Sequence, residues 1–339
     1  MGKGVVDLSH EKIVQFSLVV KDVEKTAKRF AQVFGVRSKL YSLRLSNTIW
    51  HSRDTGQGCD LRLAIGNFGG RSVKLIQPVA GRSAYSEFLE KCGEGFYTIG
   101  LGTLLNHDDV VSALTKAGIG LEMQGEGDQG SRFSIMNTIA DLGCRIEFCS
   151  PERPSGKRRI EQIGVVLPDG PGVARMEHPI LSGGKKINQV GIVVNDEKKA
   201  AEKFEELLGI QGWTYDYGPP NLVDAYMNEE AVQASDMEPL DVAFAMGWLG
   251  DLQVEIIRPI GLRPGGCHQR FLDRKGNGIQ HVSFGIQGDY AEVVGAMKRA
   301  GIESEFRATI KDHGVTACYF ATQDQLGGFQ LEIVGKNNS

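Results

Sequence analysis

Between Asn188 and Val194 the chain alternates: Val190, Ile192 and Val194 take one face of an extended segment while Gln189 takes the other. The same alternation recurs three times. Val254 and Ile256 flank Glu255 in LQVEIIRP, Val282, Phe284 and Ile286 define the face opposite His281 in GNGIQHVSFGI, and Leu331 and Ile333 bracket Glu332 in GGFQLEIVGK. Each segment predicts a strand with one apolar face. Each also places a polar group inside an apolar, β-branched run, where it is costly unless something binds it. Four strands then aim four ligand-type groups at one concave face. Two carboxylates, an amide oxygen and an imidazole nitrogen form a mostly hard donor set, suited to one divalent ion (Zn, Ni, Co, Mn or Fe) that keeps positions open for water or substrate.

A repeat organises the rest. KIVQFSLVVKDVEKTAKRFAQVFGV (12–36) lies over KINQVGIVVNDEKKAAEKFEELLGI (186–210) without a gap, with ten of 25 positions identical. In both copies a strand runs into an N-cap aspartate, Asp22 or Asp196. The helix that follows carries an apolar stripe, Thr26, Phe30, Val33 and Phe34 in one copy and Ala200, Phe204, Leu207 and Leu208 in the other. Gly35 and Gly209 fall where a left-handed C-cap is expected. GEGFYTIGLGT matches GNGIQHVSFGI, and VVSALTKAGI (110–119) matches VVGAMKRAGI (293–302). The expectation is an α+β protein of two domains, residues 1–150 and 185–339, each a pair of βαβββ units forming a cupped mixed sheet with helices outside. The Pro- and Gly-rich stretch 151–184 reads as a linker with one short strand at Ile160 to Leu167.

Composition narrows the partners. Net charge is −4, and the only basic cluster is Lys157, Arg158 and Arg159, so no nucleic-acid partner is expected. No apolar run approaches 18 residues and the N-terminus lacks a signal-peptide core, which predicts a cytoplasmic protein with no membrane association. Six cysteines without CxxC spacing are expected as reduced thiols. A small-molecule substrate is the remaining expectation.

Paired βαβββ units, a polar ligand near the start of each unit and a glutamate on each closing strand resemble the vicinal oxygen chelate superfamily. That superfamily includes glyoxalase I, methylmalonyl-CoA epimerase, cyclitol epimerases, extradiol ring-cleaving dioxygenases and metal-free antibiotic-binding proteins. Its metal positions carry over to Gln189, Glu255, His281 and Glu332, a set like that of zinc-type glyoxalase I. The wording of RFLDRKGNGIQHVSFGI (270–286) and AMKRAGI (296–302) is closer to methylmalonyl-CoA epimerase. The resemblance implies an isomerase-type member.

The first copy tests this from inside the chain. Gln189 corresponds to Gln15, Glu255 to Lys74, His281 to Thr98 and Glu332 to Glu147. A charged lysine cannot ligate, and threonine replaces imidazole poorly. The first domain is thus read as having lost its site, with Lys74 and Glu147 either an ion pair in place of the cation or two solvated charges at a groove mouth. A site contained in the C-terminal domain follows, with exchange between two C-terminal domains of a homodimer as the other construction.

Two open positions on the ion would take a substrate carbonyl and its neighbouring oxygen, and Glu332 or Glu255 would remove and return the adjacent carbon-bound proton. His313, in KDHGVTACYF, is the candidate second acid/base; Tyr215 and Tyr217 are further candidates whose alternative identity is exposed turn residues. GLRPGGCHQ (261–269) either cradles an anion or simply turns. The expected function is an isomerase or epimerase acting on a 2-oxo acid, keto-sugar, cyclitol or acyl-thioester. The competing functions are a glyoxalase I-like lactoylglutathione lyase, an extradiol-type dioxygenase and a metal-free ligand-binding or resistance protein.

Overall fold

The computed structural model describes residues 4–45, 49–50, 53–54, 58–126, 132–150, 163–165, 179–181, 185–217, 222–228, 230–231, 242–261, 266–288, 290–311 and 314–336. Two curled mixed sheets, one from each repeat, form the frame. In the second, the strands run across the sheet in the order Thr214–Tyr217, Val242–Leu249, Leu252–Pro259, Ile187–Val193, Gly278–Ile286, Gln330–Gly335, Val315–Phe320, Ser304–Ile310, Leu222–Met227 and Glu230–Ala231. The four strands that carry Glu255, Gln189, His281 and Glu332 are therefore immediate neighbours at the centre. The first sheet repeats the plan, with Arg71–Ala80, Ile13–Val19, Gly95–Thr103 and Arg145–Cys149 side by side.

Each sheet becomes a cup because one hairpin changes sides. Leu222–Met227 and Glu230–Ala231 lie in sequence between two strands of the first unit, yet pair onto Ser304–Ile310 at the far edge of the second. That connection draws the two ends of the sheet toward each other. Ile49–Trp50 does the same on Leu121–Glu126 in the first repeat. The stretch expected to link the domains contributes Ile163–Val165, an edge strand paired with Lys39–Leu45 of the first sheet.

The helices start and stop where the sequence predicts. Asp22 and Asp196 accept the backbone N–H of Lys25 and Lys199, and Gly35 and Gly209 close their helices at φ 68° and 72°. The strand faces opposite the candidate ligands (Val190, Ile192, Val254, Ile256, Val282, Phe284, Leu331, Ile333) belong to one core that also takes in the helices and the first sheet. Aromatic rings join the repeats there. Phe34 stacks on Phe284 at 5.8 Å and Phe96 meets Phe329 at 4.9 Å. Arg71 adds a polar tie, donating to the carbonyls of Ile13 and Ile187 and pairing with Asp251 at 3.1 Å. With the apolar faces committed to this core, the polar faces are left to the two cups. The six cysteines are free thiols.

Candidate metal centre

Register decides how closely the candidate ligands approach. Gly191 lies opposite Glu255 on one side and His281 on the other, while Ser283, two residues beyond His281, lies opposite Glu332. The imidazole of His281 fills the space above Gly191. Its Nε2 stands 3.4 Å from Glu255 Oε2 and 3.7 Å from Glu332 Oε2. His281 is fully buried, and Glu332 nearly so.

A β-bulge supplies a further group. Ile192 pairs with Ile279 and Gly191 with His281, so Gln280 is the extra residue and turns to the same cup as His281. Its Oε1 lies 3.1 Å from His281 Nδ1 and 2.7 Å from His268 Nδ1. His268 lies in the first turn of the helix Cys267–Lys275, whose N-cap, Gly266, supplies no side-chain cap. Tyr319 completes the wall: it pairs with Glu332, and its ring stands edge-on to both imidazoles, at 5.3 Å from His281 and 5.7 Å from His268.

Burial governs the charges. It pushes the Glu255 carboxyl up to about 7, partly opposed by His268. It likewise raises Glu332, against the opposing pull of His281 and with the charge of Glu255 adding to the rise. His281 is driven down to about 4 by burial, against the attraction of Glu332. Without a cation the cup holds a neutral imidazole between two carboxyl groups reluctant to ionise.

Do these residues fit a divalent ion? Among the described residues no three His, Cys, Asp and Glu side chains form a ready-made cage. The donor set nevertheless points to one. His281 Nε2 and Glu332 Oε2 are both buried without a hydrogen-bond partner, which is the condition a protein avoids unless a ligand completes them. The 3.4 Å from His281 Nε2 to Glu255 falls within the roughly 3 to 3.5 Å between neighbouring donors that each stand about 2.1 Å from one ion, and the 3.7 Å to Glu332 lies just outside it. His281 Nε2 is also the unprotonated nitrogen, because Nδ1 must donate to the Gln280 carbonyl oxygen. Gln189 sits two residues from Gly191 on the same face, and its amide nitrogen donates to Gln253 Oε1 at 3.0 Å. The other amide atom, the oxygen, is the one that would serve as a ligand.

The first cup shows what replaces the ion. Lys74 Nζ reaches Glu147 Oε1 at 2.8 Å, and Thr98 and Ser17 donate to Oε2 at 2.8 and 3.1 Å. Glu147 is buried, so the structure selects the ion pair over the solvated alternative. Around it, Tyr85, Phe88, Tyr97, Leu61, Leu63 and Ile135 pack into an apolar cluster that fills the cup.

Other candidates fare differently. His313 lies outside the described residues, as do residues 262–265 of the expected anion cradle. Tyr215 and Tyr217 are exposed on the edge strand, and the Lys198 ammonium sits over the Tyr217 ring at 5.3 Å. Both lie beside the outer helix Glu197–Leu208, which makes them exposed edge-strand residues and not parts of the His281, Glu255 and Glu332 cluster. His268, Gln280 and Tyr319 were missed by the strand pattern. A gapless extension of the repeat, with Tyr85 over His268 and Tyr97 over Gln280, holds the signal that finds the first two.

A family model described as Glyoxalase/Bleomycin resistance protein/Dioxygenase superfamily matches residues 14–135 and again residues 188–319. Among solved structures, a variant of 4-hydroxymandelate synthase from Streptomyces coelicolor is similar with a TM-score of 0.57 at 13% identity, over 97% of this chain and 93% of that one. The Mn(II)-bound glyoxalase from Novosphingobium aromaticivorans gives a TM-score of 0.50 at 13% identity, over 96% and 82%. At such identities the likeness is one of fold. No curated protein matches the sequence.

Proposed function

The chain belongs to the glyoxalase/bleomycin resistance protein/dioxygenase superfamily, and from that premise we propose that its C-terminal cup is a divalent-metal site that moves a proton beside the carbonyl of a small substrate, as an isomerase or epimerase does. The observation that carries this reading is the pair of buried, unpartnered atoms, His281 Nε2 and Glu332 Oε2, with Glu255 beside them. His281, Glu255 and Glu332 would hold the ion, with the Gln189 oxygen as the fourth donor. A bound cation would supply Lewis-acid polarisation of the substrate carbonyl, acidifying the neighbouring C–H.

The protein's own groups supply the rest. Glu255, beside His281 in that set, is a carboxylate placed to take and return the proton. Glu332 is the second carboxylate of the same set. Burial excludes bulk water from the inner wall, so a proton taken by a carboxylate is retained for return. Tyr319 keeps its proton, because burial and the nearby Glu332 raise its hydroxyl well above the ordinary value.

The deciding experiment is hydrogen exchange in deuterated buffer, without oxygen, over a panel of 2-oxo acids, hydroxy-ketones, keto-sugars, cyclitols and acyl-thioesters with metal-loaded protein. Solvent deuterium should enter the position next to the carbonyl of one class, and Glu255→Gln or Glu332→Gln should lower that rate by 10² or more. Turnover that requires dioxygen and ferrous iron would replace this reading with the ring-cleaving one.

A further inference from the structure

We propose that the groove beside the helix Val23–Phe34, where the two repeats meet, binds a polyphosphate anion. The groove holds about 780 Å³, within the range of small-molecule sites, and shares no lining residue with either cup. Its basic side chains are Lys21, Lys25, Lys28, Arg29 and Arg62, and its acidic ones are Asp22, Glu24 and Asp324. Five against three leaves a local positive excess in a chain whose net charge is −4.

Pairing sharpens that excess. Glu24 holds Arg62, and Asp22 accepts the backbone N–H of Lys25 as the helix N-cap. Lys21, Lys25 and Lys28 are exposed, and among the described residues no carboxylate pairs with any of them. Arg29 is held differently. Its guanidinium donates to Gln32 Oε1 at 3.1 Å, to the Ala300 carbonyl at 2.9 Å and to Gln325 Oε1, all neutral acceptors. The last two belong to the second repeat. Burial keeps this guanidinium below its ordinary value, and no carboxylate offsets the effect. A partly buried cation oriented by neutral groups alone carries an uncompensated charge, which an anion would complete.

The internal repeat shows that the fold does not require these charges. Lys21 and Lys28 correspond to Asn195 and Glu202, and Lys203, the counterpart of Arg29, pairs with Glu206 at 2.6 Å. Only the first helix carries the basic stripe. Lys25, Lys28 and Arg29 stand at i, i+3 and i+4 on one helix face, with Lys21 a turn earlier, so the charge is spread along the helix. An anion with several charged oxygens in a row fits that spread better than a single carboxylate does. A carboxylate is best met by the planar fork of an arginine, and both arginines here are engaged; lysine acts as a point charge suited to phosphate. The ligand class is therefore a polyphosphate, either free or carried on a nucleotide.

Calorimetry on the full-length protein without added divalent ions tests this. Tripolyphosphate should bind about tenfold more tightly than orthophosphate or citrate, and the triple variant Lys21→Gln, Lys25→Gln, Lys28→Gln should lose about tenfold, the worth of three exposed charge pairs. These side chains are exposed, so the variant should keep the circular dichroism of the wild type. Lys199→Gln with Lys203→Gln, on the matching helix, should leave the affinity unchanged, and so should His281→Ala in the C-terminal cup. Tripolyphosphate should also raise the melting temperature of the wild type and not of the triple variant. Absence of binding, equal affinity in the triple variant, citrate bound as tightly as tripolyphosphate, or binding lost in His281→Ala each overturns the proposal. ATP measured against tripolyphosphate then separates the two sources: the tighter of them names the ligand, and either order supports the site.

Discussion

The imidazole of His281 occupies the volume that a side chain at Gly191 would need: a Cβ placed there would lie 1.9 Å from Cε1 of the ring. The absence of a side chain is thus part of the site. In the first cup the equivalent pair is Ser17 and Thr98, where a small residue replaces imidazole and the Cβ returns. Gly191→Ala should push His281 off its present rotamer and away from Glu255 and Glu332. Metal affinity measured by titration should fall at least tenfold, the scale of losing ligand orientation. Unchanged affinity would mean that the ring position is irrelevant to binding.

Lys74 and Glu147 should behave as one buried unit. Lys74→Met alone leaves an unpaired buried carboxylate, which costs about 3 kcal/mol, whereas Lys74→Met with Glu147→Leu should recover most of that loss. Metal content should not change in either variant. For Glu147 burial works to raise the carboxyl, but Lys74 and the donors Thr98 and Ser17 outweigh it and hold it below its ordinary value. Its stabilisation is therefore present above the unfolded carboxylate pKa and is lost as pH falls through the lower folded value. Lys74 is raised despite burial, so its share is present below the unfolded lysine value and is lost as pH rises through the folded one. Denaturation from pH 2 to pH 7 should show the acid limb flattened in the double variant. An identical acid limb would remove the pair from the stability account.

The architecture was legible because it rests on periodicity. Strand alternation and the repeat locate Gln189, Glu255, His281 and Glu332 on adjacent strands, and Asp22, Asp196, Gly35 and Gly209 mark helix ends without tertiary help. Gln280 was hidden for a physical reason. Alternation assigns it to the face opposite His281, and only the bulge, a long-range feature of pairing with Ile187–Val193, turns both into the cup. His268 was hidden because it lies on a helix, where strand alternation says nothing. The fate of Lys74 and Glu147 needed burial, which composition does not give.

Arg71 ties the repeats through backbone carbonyls on both sides. Arg71→Met should leave the Ile13 and Ile187 carbonyls without their donor, a loss of about 2 to 4 kcal/mol for two buried acceptors. Because the lost bonds join the two repeats, chemical denaturation should separate into two transitions where a single one is expected of the wild type. A single transition at unchanged midpoint would show that the shared aromatic core alone couples them.

The response of the metal-free protein to pH follows from the second cup. Glu255, raised to about 7 by burial, contributes stability that is fully present below the unfolded carboxylate value and is lost as pH rises through about 7. His281, depressed to about 4, behaves oppositely: its contribution is present above the unfolded imidazole value and is lost as pH falls through about 4. Between pH 5 and 8 the imidazole is thus already neutral and ligand-ready, and Glu255 and Glu332, both raised by burial, are the groups whose protons a cation must displace. Uptake of a divalent ion near pH 6 should release about one proton, falling toward none above pH 8, as calorimetry in buffers of differing ionisation enthalpy would report. The rise in melting temperature on metal addition should grow over the same range, because the ion compensates a carboxylate that is buried and charged only at the upper end. A proton release and a melting shift that are both flat from pH 5 to 8 would remove Glu255 from the ligand set, and Glu255→Gln, which leaves only Glu332 to titrate, should reduce the proton release in a protein that still folds.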